Sequence, residues 1–513
     1  MACVVAIDAG TTGVRALAVD ESGEVVDLAY RELSQHFPRP GWVEHDPGEI
    51  WEAVRTTLAE VANRLAGGGA AVAAIGIANQ RETALAWDRR TGHSLRRAIV
   101  WQDRRTAGRC DELRQAGHLP MVRARTGLVL DSYFSATKYA WILDEVDAAG
   151  DGIREERLAL GTVDSWVLWQ LTGGPAGGVF ATDASNASRT LLYDIVSRAW
   201  SPELCDLFGL PARALAEVRP SCGRFGAVAE AALDGVLAGV PVSGLAGDQQ
   251  AALFGQACFR PGMAKVTYGT GSFVLTNVGA TAPPPPEGLV VTVAWDLGDR
   301  PGLDPEAGSD GFAYALEGSA FASGAVIQWL RDELGLIARA EDLGPLAESV
   351  PDSGGVTLVP AFVGLGSPWW DPRARGTITG ITRGSGRAQI ARAVVEAIAF
   401  QVRDMVDAMT LARGQPCTQL RADGGASAMD LLLQLQADQV GVPVSRPRSV
   451  ETTALGAAML AGLAEGVWGS PEELSSLWRL GTDRHPVADR ESADLAYAGW
   501  LRAVERSRRW APE

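Results

Sequence analysis

Residues 4–20, VVAIDAGTTGVRALAVD, run from an apolar stretch through Asp8 into a turn of Gly10, Thr11, Thr12 and Gly13, then into a second apolar stretch carrying Arg15. Residues 264–279, AKVTYGTGSFVLTNVG, repeat the pattern with Gly269, Thr270, Gly271 and Ser272 at the turn. Successive amides in such a turn form a concave anion nest. Glycine lets an anion's oxygens approach with no Cβ in the way, and threonine hydroxyls add donors. Only two of the 46 basic residues are lysines, Lys138 and Lys265, so a phosphate held here is neutralised mainly by amides, arginine and a divalent cation. Asp8 then stands near the cation through water, because Mg²⁺ gives up its hydration shell reluctantly. Either turn alone also reads as a glycine-cornered hairpin with an incidental aspartate. Two of them, about half a chain apart, favour a nucleotide held between facing turns.

The elements that must position these turns follow from length and pattern. A chain of 513 residues exceeds the roughly 250 to 300 residues at which single cores stop growing, so two domains with a cleft are expected, divided here at 1–247 and 248–513. Apolar-alternating runs predict strands over 3–9, 14–20 and 25–34. Helical spacing predicts helices over 47–66, 131–146, 320–336, 386–413 and 427–440. A long turn over 298–311 separates strands at 290–296 and 312–317. Strands alternating with helices give an α/β class.

Composition excludes several alternatives. The chain is 47% apolar and 21% charged, as in ordinary globular proteins, and no stretch approaches the ~20 apolar residues of a membrane span. Residues 65–78 come nearest, and they read as a helix end, a loop and a buried strand. The first residues lack the basic and apolar segments of an export signal, so a cytoplasmic protein is expected. Six scattered cysteines form no CxxC pair, so buried free thiols are expected rather than zinc or disulfides. A net charge of -16 argues against nucleic acid. Neither lysine follows a glycine or precedes serine or threonine, which excludes a Walker loop. Without His-Arg-Asp or Asp-Phe-Gly, the protein-kinase pattern is absent too.

Two strand–turn–strand copies resemble the duplicated, RNase H-like architecture of sugar kinases, actin and Hsp70-type ATPases. Longer stretches narrow the resemblance: FPRPGWVEHDPGEIW (37–51), GIANQRETALAWDRRTG (76–92), IVWQDRRT (99–106), GLAGDQQAALFGQ (244–256), YALEGSAFASGAVIQWLRDEL and LVPAFVGLGSPWWDPRARGTITGITRG. These are similar to the FGGY carbohydrate kinases, within them to the branch that phosphorylates glycerol, over residues 3 to 500. The resemblance implies phosphoryl transfer from ATP to a terminal hydroxyl of glycerol with Mg²⁺, in a homo-oligomeric dimer or tetramer.

Carried onto matching positions, it implies an alcohol site of Arg81, Glu82, Trp101, Tyr133, Asp248, Gln249 and Phe273. A small triol needs donors and acceptors around it and aromatic cover for its carbons. Asp248 is the implied base. An ordinary carboxylate pKa near ~3.9 suffices, because the hydroxyl proton leaves late, when the oxygen is already bonding to phosphorus. Asp248 also reads as a helix N-cap, and both can hold. Asp8 and Asp248 are the implied carboxylates for the cation. Thr11, Thr12, Arg15 and Thr270 are implied for the phosphates, with Gly324, Gln328 and Gly425 on the adenosine side.

The chain departs from the family in three places. Met429 stands where an asparagine is usual near adenine; it packs against a purine but cannot donate to it. The segment matching a regulatory bisphosphate loop, EAALDGVLAGVPV (230–242), has acids and no base. The extended 298–311 turn has no functional account. Rival readings are a kinase of another polyol or sugar, such as xylulose or erythritol, and a non-catalytic actin-like nucleotide sensor.

Overall fold

Covering both faces of a sheet requires near-continuous apolar strands, and the chain's first strand shows why. In a computed structural model that describes residues 2–148, 156–300 and 311–511, β1 (Ala2–Ala9) pairs antiparallel with β2 (Gly13–Asp20), and β2 pairs with β3 (Val25–Glu32). On its other side β1 pairs in parallel with β4 (Ala71–Asn79). The sheet continues through β6 (Pro241–Gly247) to β5 (Cys222–Ala227). Cys3, Val5 and Ile7 of β1 share a core with Ile50, Val54 and Leu58 of helix α1 (Pro47–Gly67). The alternate residues Val4 and Ala6 share another with Ala454, Ala457 and Ala458.

The second sheet repeats the first. β7 (Ala264–Tyr268) pairs antiparallel with β8 (Ser272–Gly279), and β8 pairs antiparallel with β10 (Phe312–Ala320), outside which lies β9 (Val290–Asp296). On the other side β7 pairs in parallel with β11 (Leu420–Asp423), then β12 (Val444–Pro447), with β13 (Leu480–Arg484) at the edge. The orders β3-β2-β1-β4-β6 and β10-β8-β7-β11-β12 share the same two antiparallel and two parallel pairings. This is a duplicated RNase H-like α/β architecture, and the two glycine-threonine turns occupy equivalent places in the copies. Among the described residues no helix is long and apolar enough to cross a membrane, and all six cysteines are buried and free.

Helix starts differ from the periodicity where side chains or turns take up the first amides. α2 begins at Ala136 (Ala136–Ala148) because Asp131 accepts from the Tyr133 amide at 2.8 Å and holds a turn. α4 (Gly324–Asp332) begins after β10 ends at Ala320, its first amides donating to the carbonyls of Gly269 and Thr270 at 2.8 and 3.0 Å. A short 3₁₀ turn, Gly425–Ala428, precedes α6 (Asp430–Val440), which follows the long α5 (Arg387–Arg413). Most of the turn expected over 298–311, residues 301–310, lies outside the described residues.

Helix α7 (Thr452–Glu465), late in the chain, lies on the first sheet and against α3 (Asp248–Gly255). The approach requires glycine: a Cβ on Gly456 would stand 1.8 Å from the Ala251 carbonyl oxygen, and one on Gly76 2.1 Å from that of Ala457. Both obstacles are backbone, so they cannot swing aside. Gly456→Ala should therefore lower stability by roughly 1–3 kcal/mol, read as a fall in denaturant midpoint; an unchanged midpoint would show that α3 and α7 can part freely.

Candidate active site

The end of β4 is stitched to the first turn: the Gln80 amide donates to the Ala9 carbonyl at 2.8 Å, and its side-chain amide donates to the Gly10 carbonyl at 3.0 Å. Arg81 and Glu82 follow, both 2% or less exposed. Glu82 has φ 60°, a left-handed conformation that costs a non-glycine residue of order 1–3 kcal/mol and concentrates at functional sites. β6, parallel to β4, ends beside it and delivers Asp248 as the first residue of α3. The Nε of Arg81 lies 3.2 Å from Asp248 Oδ1, and its Nη2 3.4 Å from the Tyr133 hydroxyl. Trp101 meets Tyr133 and Phe273 edge-on, with centroids 5.6 and 6.2 Å apart, and donates its indole N–H to Thr11 Oγ1 at 2.9 Å. Arg81, Asp248, Tyr133, Trp101 and Phe273 are thus joined in one chain of polar and aromatic contacts, with Glu82 3.8 Å from Arg81, while the side chain of Gln249 turns to Lys265.

Asp248 is 28% exposed at its side chain and accepts from the Gln249 amide at 2.6 Å. It occupies the first helical position, with Gly247 as the cap. Its pKa is not ordinary: burial raises it, against the lowering pull of Arg81 and Lys265. The carboxylate is therefore a better proton acceptor than the sequence implied.

Two site residues escaped sequence reasoning. The guanidinium fork of Arg81 is not free for ligand, because it grips Glu317 of β10 in a bidentate pair at 2.5 and 3.1 Å. Arg189 bridges the same Glu317 (2.9 Å) to Glu82 Oε1 (2.7 Å). All four side chains are buried. A lone acid inside FAYALEGSA, a strand otherwise too apolar to face water, signals that Glu317 must be paired. Nothing local signals Arg189.

In the second half of the chain a cavity of about 710 Å³ is lined by Thr270, Gly324, Gln328, Gly425, Ala426 and Met429, among others. Its size is that of a typical ligand pocket, and it gathers all the residues expected on the second turn and the adenosine side. No atom lies within 4 Å of where a Gly425 Cβ would be, which leaves a flat approach. The first turn closes with the Gly10 amide donating to the Gly13 carbonyl at 3.0 Å; Thr12 is exposed and Thr11 half-buried. Arg15 is less available than expected: it pairs with Glu451, lies 3.9 Å from Asp8 and covers the Tyr30 ring. Burial pushes Asp8 up to about 7 despite Arg15, with Asp248 and Glu451 adding to the rise.

Among the described residues no group of three metal-ligating side chains exists. Asp8 and Asp248, near enough to feel each other's charge, form an all-oxygen donor set. That suits a hard cation whose remaining ligands are water and phosphate oxygens.

Known proteins share this fold and much of this sequence. The chain is 52% identical over 515 residues to a glycerol kinase of Aromatoleum aromaticum, covering 99% of each, and 53% identical over 512 residues to one of Trichlorobacter lovleyi, covering all of each. Its fold superposes with a TM-score of 0.90 on the glycerol kinase of Plasmodium falciparum crystallised with ADP, at 34% identity over 99% of this chain and 98% of that one. A xylulose kinase of Rhodospirillum rubrum follows the same path at 27% identity, TM-score 0.82, over 98% of both. Residues 3–255 match the N-terminal domain of the FGGY family and residues 264–465 its C-terminal domain. With the duplicated sheets, the paired turns and the polar and aromatic contacts around Arg81, these matches establish that the chain belongs to the FGGY family of carbohydrate kinases.

Proposed function

We propose that the protein transfers the terminal phosphoryl group of ATP to a terminal hydroxyl of glycerol, giving sn-glycerol 3-phosphate. The observation that carries this reading is the carboxylate of Asp248, part-exposed and 3.2 Å from Arg81, with Arg81 in turn reaching the Tyr133 hydroxyl and Tyr133 meeting Trp101 edge-on. Arg81 Nε and Glu82 orient the hydroxyls, and Gln249 adds an amide. Trp101, Tyr133 and Phe273 cover the three carbons. Asp248 accepts a hydrogen bond from the attacking hydroxyl and takes its proton late in the transfer. The amides and hydroxyls of both turns hold the phosphates, with the adenosine in the cavity beside Gly425 and Met429. Mg²⁺, when held by Asp8 and Asp248 through water, supplies charge neutralisation for the transferring phosphoryl group. Halves 1–247 and 248–513 close on the substrates and exclude the water that would otherwise hydrolyse ATP.

A coupled ADP-release screen with Mg²⁺ over glycerol, dihydroxyacetone, erythritol, xylulose and gluconate tests the reading. Glycerol should give the highest kcat/KM; a preference for xylulose would move the protein to another branch of the family. No turnover with any of the five would favour a nucleotide sensor.

The acidic segment around Glu230–Ala232 offers a bisphosphate no cation. Millimolar fructose 1,6-bisphosphate should leave the initial rate unchanged, and a clear fall would contradict this.

A further inference from the structure

The chain holds two lysines among 46 basic residues. Both are fully buried, and both stand against the alcohol site. Lys138, in α2, donates its Nζ to the carbonyls of Tyr133 at 2.7 Å and Glu82 at 3.1 Å, the latter also accepting from Ser135 Oγ at 3.1 Å. It thus clamps the left-handed residue that presents one acid of the site to the turn that presents its tyrosine. Lys265, in β7, donates to the side-chain oxygen of Gln249 and to Thr267 Oγ1 at 2.8 Å. Thr267 donates onward to Asp423 Oδ1 at 2.5 Å; the other oxygen of Asp423 accepts from Gln256 and Thr452 at 2.7 Å each. Asp423 immediately precedes Gly424 and Gly425, where the nucleotide cavity opens.

These bonds need a compact head with donors spread in three dimensions on a slim stem. A guanidinium is planar, bulkier and built for a fork. Arginine supplies all the other basic residues, and lysine stands at two buried places where one ammonium joins acceptors on separate elements. Desolvation is the cost: burial pushes Lys138 down to about 7 and Lys265 down to about 8. A buried amine so disfavoured is held by what it orients rather than by an ion pair.

We propose that Lys138 and Lys265 are positioning residues of the alcohol site. Lys138 fixes the backbone of Glu82 and Tyr133, and Lys265 fixes the Gln249 amide beside Asp248 and ties it to the Asp423 loop on the nucleotide side. This rests on the proposed alcohol phosphorylation. The screen above tests that activity in the unsubstituted protein, so its failure appears there and not in the lysine variants.

The test compares Lys138→Met, Lys138→Arg, Lys265→Met and Lys265→Arg by steady-state kinetics against both substrates, with melting temperatures. At Lys138 the KM for the alcohol should rise at least about tenfold with the KM for ATP within twofold, and arginine should not rescue. At Lys265 the alcohol KM should rise and kcat fall together. Folded variants with alcohol KM and kcat both within twofold of the parent would overturn the proposal. Where a methionine variant fails to melt cooperatively, Lys138→Gln or Lys265→Gln, which keeps a donor of similar reach, replaces it under the same criteria.

Discussion

Asp248→Asn lowers kcat by roughly 10²- to 10⁴-fold, the usual worth of a positioned base, while glycerol binding by calorimetry stays measurable. The carboxamide keeps an oxygen at the same place on α3, where it can still accept from the Gln249 amide and lie beside Arg81. What it loses is the capacity to take a proton. Burial raises the native carboxyl above its ordinary range, against the lowering pull of Arg81 and Lys265, which makes it a stronger base toward the attacking hydroxyl. Turnover within tenfold of the parent would remove Asp248 from the role of base and leave positioning and charge neutralisation as the whole of catalysis.

Glu317→Gln destabilises the protein and weakens alcohol binding together. Removing one charge of a buried, hydrogen-bonded pair leaves its partner uncompensated and costs about 3–5 kcal/mol. Here two guanidinium groups, Arg81 and Arg189, lose their shared carboxylate. Arg81 is then free to turn away from Asp248, so the apparent KM for glycerol should rise more than kcat falls. The pH dependence gives a second reading. Burial alone would raise the Glu317 pKa, but Arg189 and Arg81 outweigh it and hold it below the ordinary range. A carboxylate depressed in the folded state contributes stability that is present above its unfolded value, near ~4.3, and lost as pH falls through the folded value. The folded value is about 2, so the parent should lose melting temperature between about pH 5 and 2 more steeply than Glu317→Gln. Equal slopes and an unchanged glycerol KM would show that Glu317 neither anchors Arg81 nor bridges the two halves.

What could be read along the chain was whatever local chemistry encodes. Gly10 to Gly13 and Gly269 to Gly271 announce tight turns because few other residues allow a backbone to approach an anion so closely. The apolar runs around them announce strands buried on both faces, and β1 is buried on both sides by two different helices. The expected alcohol and adenosine residues came from stretches long enough to be matched position by position, and the structure links the first set through Arg81 and Tyr133, with the side chain of Gln249 turned to Lys265, and lines one cavity with the second.

Tertiary structure alone decided which charges meet. Arg81 and Glu317 lie 236 residues apart, Arg189 and Glu82 107, Arg15 and Glu451 436. An ion pair leaves no periodic trace in either strand, because its requirement is for a partner at a place in space and not at an interval in sequence. For the same reason nothing along the chain revealed that α7 packs on the first sheet and against α3. The sequence by itself determined the paired turns, the α/β class and the chemical kinds present at the site. The folded chain determined that Arg81 is held by an acid from the other half, that Arg15 is shared with Glu451, and that desolvation raises the pKa of the part-exposed Asp248, because desolvation and pairing depend on everything that surrounds a side chain at once.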